Sequence, residues 1–277
     1  MPVMLRPASV NRTCTYVYAT TMDEADSRPI HVCGYQNEAR SWSGRNVMFL
    51  NFAGSNLSLV EGVQNTETLM VDVTRRLSDL VPQKRSRVGV FNYTHLPRGR
   101  RLENYGTYTV TVAQTPADIL PALEQVPEHQ RPDLDKDLER MVDFYAAVKP
   151  RDSFVLACFD DRVKPAYPIT VSYVPHNPQM LTIPGLDGCS DRLPSPGNPV
   201  RRDSRIAFAL GGGAMPHIVE YQDEVGEAPW APDSVCGFVD NRSDGQNGDY
   251  VVSAEIVRAG ITGRALAAEL RETWGAA

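Results

Sequence analysis

A chain of 277 residues with 42% apolar and 22% charged side chains can bury a sizeable core without disulfide or metal staples, which excludes disorder and fibrous repeats. The net charge of −6 opposes protein-wide attraction to nucleic acid or anionic lipid, so neither is an expected partner. No run approaches the roughly 20 apolar residues of a membrane helix, which predicts a chain that does not span a membrane.

The N-terminal MPVMLRPASVNRTCTYVY lacks the apolar segment and cleavage site of a signal peptide, so cytoplasmic retention is the expectation. Cys14, Cys33, Cys158, Cys189 and Cys236 are odd in number and include no CxxC pair, which points to reduced thiols rather than bridges or a thiolate zinc site. Basic residues are mostly Arg, with Lys at Lys84, Lys136, Lys149 and Lys164; with abundant Ala, Pro and Gly, this suggests a GC-rich bacterial gene.

Three strands are predicted first, Thr13–Thr20, Pro29–Tyr35 and Asn46–Phe52, rich in β-branched and aromatic residues and joined as a meander or hairpin. A helix capped at Asn65 or Thr66 follows, with Leu69, Met70, Val73, Leu77 and Leu80 on one stripe and Pro82 as its stop. Strands at Arg87–Tyr93 and Gly106–Gln114 come next, and the alternation of Tyr108, Val110 and Val112 with threonines predicts one wetter face.

Thr115-Pro116-Ala117-Asp118 reads as a helix start, with Pro121 keeping the helix short. A longer helix carries Leu134, Leu138, Met141, Val142, Tyr145 and Val148 on one stripe and ends before Pro150. The second half is predicted mostly as strands, SFVLACFD, YPITVSYVP, QMLTIPG, SRIAFALG, HIVEY and VCGFVD, with Gly- and Pro-rich turns between Pro175 and Pro199. A last helix is expected from Thr262, using Leu266, Leu270 and Trp274, with Ile261 as a staple.

Strands and helices fall in blocks, which favours α+β: a mostly antiparallel or mixed sheet with about four helices packed on it. One domain over residues 1–277 is expected, with room for two lobes meeting near Pro150.

Several segments invite a chemical reading and receive a structural one. Gly211-Gly212-Gly213 lacks the lysine and helix start of a phosphate loop and reads as a hairpin turn. Asp240-Asn241-Arg242-Ser243-Asp244-Gly245 opens like a calcium loop, but Arg242 takes a ligand position and Val251 stands where the bidentate acid belongs. Cys158 lies among apolar neighbours and reads as structural. Lys84-Arg85-Ser86-Arg87 and Arg98-Gly99-Arg100-Arg101 read as solvated charge at strand ends.

The candidate catalytic residues are His176, Asp187, Cys189 and His217, gathered in turn-rich segments where functional groups tend to sit. Asp191 and Glu220 are further oxygen donors; a divalent metal shared by these loops is compatible with the donor set if they converge in space. Two functions remain open at this point. One is an enzyme acting on a small molecule by acid–base or metal-assisted hydrolysis or group transfer. The other is a non-catalytic protein-binding or assembly protein using sheet edges, the Trp230 loop or the arginine loop.

Overall fold

Asn46–Phe52 and Ser153–Phe159 are buried at every position, and they pair antiparallel from Asn46↔Phe159 to Phe52↔Ser153. A strand without an exposed side chain needs cover on both faces, so this pair forms the middle of the molecule rather than its surface. The computed structural model describes residues 3–20, 29–60, 107–160, 168–188, 192–211, 219–220, 234–240 and 245–273.

In chain order the strands begin β1 (Val3–Met4), β2 (Ala8–Thr20), β3 (Ile30–Ser41), β4 (Asn46–Phe52), β5 (Gly54–Leu59), β6 (Thr109–Ala113), β7 (Ser153–Phe159) and β8 (Ile169–Pro175). They continue with β9 (Met180–Ile183), β10 (Pro199–Val200), β11 (Ser204–Leu210), β12 (Val219–Glu220), β13 (Ser234–Asp240), β14 (Gly245–Gln246), β15 (Asp249–Ser253) and β16 (Arg271–Thr273). The helices are α1 (Ile119–Glu124), preceded by a 3-10 turn at Pro116–Asp118, α2 (Lys136–Val148), α3 (Ala254–Arg258) and α4 (Gly263–Glu269).

The sheets have the orders β1-β4-β7-β6, β12-β13-β11-β2-β3-β8-β5, β16-β15-β9 and β10-β14. Between these strands pairing is antiparallel except for β11 on β2. The fold is α+β with mostly antiparallel strands, divided among several small sheets rather than collected in one, and its helices are short.

Alternation along β4 and β7 explains the layering. Met48, Leu50, Phe52, Val155, Ala157 and Phe159 face one core cluster, which also contains Tyr35, Tyr173 and Phe208 of the seven-stranded sheet. Val47, Phe49, Phe154, Leu156 and Cys158 face a second, which contains Ile119, Leu123, Leu138, Met141 and Tyr145 of α1 and α2. The four-stranded sheet thus separates a helical layer from the larger sheet. Of the expected meander or hairpin, β2 and β3 form the hairpin, whereas β4 does not continue it as a meander and pairs with β1 and β7, buried on both faces.

Asp135 caps α2 by accepting from the amides of Asp137 and Leu138 at 3.1 and 3.2 Å. Leu134 precedes that cap and is exposed, so the buried stripe begins at Leu138. The C-terminal helix starts after Thr262 as expected but ends at Glu269; Leu270 is extended and the next three residues form β16 against β15. Thr262 Oγ1 donates to the Gly237 carbonyl at 2.7 Å instead of capping the helix.

Thr109 to Val112 are all half-buried, so β6 has no distinctly wet face. Strands β5 and β15 and helix α3 answer to no predicted element; Ser253 caps α3 by accepting from the Ile256 amide at 3.3 Å. The predicted helix after Asn65 and the strand Arg87–Tyr93 lie outside the described residues, as do Trp230 and Trp274. So do both basic clusters and most of the glycine run.

Candidate functional site

Of the four sequence-chosen residues, His176 and Asp187 are described, whereas Cys189 and His217 lie outside the described residues. His176 follows β8 and is exposed; its amide donates to the Ala53 carbonyl and its ring Nε2 to the Arg151 carbonyl, both at 2.9 Å. A carbonyl only accepts, so Nε2 is the donor in this bond. Asp187 is half-buried, and Asn247 brackets its backbone: Oδ1 accepts from the Asp187 amide at 2.6 Å and Nδ2 donates to its carbonyl at 2.8 Å.

Between these two residues lies a buried polar cluster that no motif announces. Lys149 closes the C-terminal end of α2, Asp152 precedes β7, Asn51 belongs to β4 and Asp249 opens β15. Asp249 Oδ2 accepts from Lys149 Nζ at 3.0 Å and from Asn51 Nδ2 at 2.9 Å. Its Oδ1 accepts from the amides of Gly185 and Leu186 at 3.0 and 3.4 Å. Asp152 Oδ2 is served less well, with Asn51 Nδ2 at 3.1 Å and Lys149 Nζ at 3.9 Å.

The two carboxylates are therefore driven apart in acidity. Burial opposes the charge on both. For Asp249, Lys149 and the surrounding donors outweigh burial and hold the acid below its ordinary range. For Asp152 burial prevails over Lys149, Asn51 and His176, with the Asp249 charge acting in the same upward direction as burial, and the acid is pushed up to about 6. Lys149 is itself buried, but the two carboxylates beside it hold its ammonium above the usual lysine range.

Among the described residues the C-terminal turns converge around Arg202. The buried guanidinium donates to the carbonyls of Gly185 at 2.5 Å, of Gly248 at 3.1 Å and of Gln246, and stacks over Tyr250 at 4.7 Å from the ring centre. Tyr250 in turn donates its hydroxyl to Asp240 at 2.8 Å. Only glycine fits at 185, because a Cβ there would stand 2.6 Å from the Gly248 carbonyl oxygen and 2.8 Å from the Tyr250 ring.

Cys33, Cys158 and Cys236 are buried, and burial pushes the thiols of Cys158 and Cys236 up to about 12. They match the inert role expected of Cys158. Among the described residues no group of three or more His, Cys, Asp or Glu side chains is placed to hold a metal ion. None of the described helices is long and apolar enough to cross a membrane. A cleft lined by Leu5, Asp137, Arg140, Met141, Arg192 and Leu193 measures about 20 Å³, room for a single water.

Among the described residues the surface offers one aromatic anchor. Trp42, at the corner between β3 and β4, is 71% exposed. Its backbone is fixed: the Trp42 amide donates to the Pro7 carbonyl and the Ser41 amide to the Asp160 carbonyl, both at 3.4 Å. Gly44, at φ +86°, makes the turn that a side chain would resist. Arg45 then reaches across to the Glu128 carbonyl at 2.6 Å and the Asp133 carboxylate at 2.7 Å.

Sequence reasoning missed Asn51, Asp249, Arg202 and Trp42. A lysine closing an otherwise apolar helix stripe, as Lys149 does, was the available signal for the buried cluster.

No family model matches the chain, and no curated protein matches it. Among solved structures it is similar to the crystal structure of baculovirus P35, with 10% identity, 92% of each chain covered and a TM-score of 0.45. A likeness at that level carries no inference of function.

Proposed function

We propose that the chain is a protein-binding module that docks through the Trp42 corner. The observation that supports this reading is a large aromatic side chain held out on a corner tied by two backbone hydrogen bonds, from the Ser41 and Trp42 amides, and by two more from the Arg45 guanidinium. Docking a preorganised anchor loses little conformational freedom, and buried Trp and Arg dominate interface energetics. The corner also carries the exposed Arg40, so the partner it fits is an apolar socket with an acidic rim.

The test compares capture by the wild-type chain with capture by Trp42→Ala. A protein retained by the first alone is purified and titrated against both. A loss of roughly 30-fold in affinity is expected for an anchor at the centre of an interface. Equal affinity of the two chains for every captured protein overturns the reading.

A second reading rests on the placement of Asp152, whose acidity burial weakens until its pKa stands at about 6, close enough to the exposed His176 to feel its charge. It makes the chain an enzyme acting on a small molecule by acid–base or metal-assisted chemistry. His176, Asp187, Cys189 and His217 would contribute, with a divalent metal as cofactor. Metal content measured on the wild type and on His176→Gln and His217→Gln tests the metal-assisted form: a stoichiometric ion lost in both variants supports it, and an ion-free wild type that gains none on reconstitution removes it.

A further inference from the structure

We propose that the Asp152 and Asp249 carboxylates form a proton-operated latch between the helical layer and the β9–β15 edge of the molecule, closed while Asp152 carries a proton and loosened when that proton leaves. The proposal stands on the geometry of the cluster and is independent of the docking and catalytic readings.

The pair joins parts of the chain that no strand ladder connects. Asn51 Nδ2 lies between the two carboxylates at 3.1 and 2.9 Å, and Lys149 Nζ at 3.9 and 3.0 Å. Through Asp249 Oδ1 the cluster also holds the amides of Gly185 and Leu186, which leave β9. The end of α2, the entry to β7, β4, β15 and the 185–186 turn therefore meet at two acids.

Charge counting shows why one proton matters. Lys149 supplies one positive charge against two carboxylates. Asp249, with four donors, keeps its negative charge, and the pair with Lys149 is then neutral. Removing the proton from Asp152 leaves an uncompensated negative charge in a buried site, and a buried charge without a partner is costly.

Among the described residues the other titratable groups facing Asp152 and Asp249 are Tyr145 from α2, Tyr173 from β8 and His176 just after it. Both phenols are held well above their usual range, first by burial and then by neighbouring charge that includes these carboxylates, so they stay neutral. Neither compensates the charge. The Tyr145 hydroxyl is buried and has no hydrogen-bond partner among the described residues, which leaves this side of the cluster thinly solvated.

The sign follows from linkage. An acid held above its unfolded value stabilises the closed state fully below about pH 4 and loses that contribution as pH rises through its folded value near 6. Each pH unit inside that window changes the closed-to-open ratio by up to about tenfold.

Amide hydrogen exchange between pH 4 and 7, corrected for the intrinsic pH dependence of exchange, tests the latch. The amides of Gly185 and Leu186 are expected to lose protection by roughly tenfold or more across the window, while Leu156 in the central strand changes little. Asp152→Asn, which keeps an acceptor for Asn51 but cannot ionise, abolishes the change. His176→Gln leaves it intact, which separates the latch from an imidazole sensor. Carboxyl NMR titration of the wild type measures Asp152 directly, whether or not the variant folds. A midpoint in the ordinary aspartate range, or a pH profile unchanged in Asp152→Asn, overturns the proposal.

Discussion

Gln114 completes the hydrogen bonding of Leu57 as a neighbouring strand would: its Nε2 donates to the Leu57 carbonyl at 2.8 Å and its Oε1 accepts from the Leu57 amide at 3.0 Å. Leu57 lies on β5, one of the two edge strands of the seven-stranded sheet. Strand edges invite pairing with other chains, and a side-chain amide that occupies both backbone groups blunts one without adding a strand. Beside it Asn56 adopts φ +54°, where β5 breaks register with β8 between Ser55 and Ser58.

Gln114→Ala is expected to cost about 1–3 kcal/mol, the usual net worth of two part-buried hydrogen bonds. It should also promote association through the reopened edge. Urea denaturation measures the first effect and light scattering the second; Gln114→Glu, which retains the acceptor and loses the donor, should fall between.

Replacing Asp249 should be among the most damaging single changes. Asp249→Ala leaves Lys149 buried without its closest counter-ion and leaves the Gly185 and Leu186 amides without an acceptor. Breaking a buried pair from one side costs about 3–5 kcal/mol. Asp249→Asn retains part of the hydrogen bonding and should cost less, and chemical denaturation ranks the two.

The profile of stability against pH should peak on the acidic side of neutrality. Descending from pH 7, protonation of Asp152 raises stability through about pH 6. Asp249 and Asp135 work in the opposite sense. Both are held below the usual carboxylate range against the effect of burial, by Lys149 and the Gly185 amide for Asp249 and by the Leu138 amide and Arg6 for Asp135. Their stabilisation is present above about pH 4 and is lost as pH falls through their folded values. Urea midpoints measured from pH 3 to 8 should pass through a maximum between about 4 and 5.

Two leucines of similar size should behave oppositely. Leu156→Ala opens a cavity in a fully buried central strand and is expected to cost about 2–5 kcal/mol. Leu134→Ala, outside the α2 cap, should stay within about 0.5 kcal/mol of wild type by the same denaturation measurement.

The contrast between those leucines shows what the sequence made legible. Periodicity located α2 well because Leu138, Met141 and Tyr145 recur at helical spacing, and it wrongly included Leu134 because the Asp135 cap, not periodicity, decides where the helix begins. The mostly antiparallel α+β arrangement followed from the block order of elements. The partner of β4 did not, since a strand apolar on both faces announces a central position without naming its neighbours. Strand β15 escaped because DYVVS opens with a buried acid, which reads locally as a turn.

The candidate site was less legible still. His176 and Asp187 were chosen as reactive residue types in turns, yet the chemistry between them comes from Asn51, Lys149, Asp152 and Asp249. These residues are ordinary in local sequence and become unusual only when 198 positions separate two of them that share a hydrogen bond. A buried charge is visible as a property of packing, and packing between distant segments leaves no mark on either segment alone.

The parallel ladder of β11 on β2 joins Ser204 to Thr13 and Leu210 to Ala19. On a ribosome adding about 5–20 residues each second, the first long strand would wait roughly 10–40 seconds for that neighbour, because about 190 residues must be made between them. Until then the hairpin of β2 and β3 has one flank without its mate. Premature release from synthesis would therefore leave that flank available for pairing with another nascent chain.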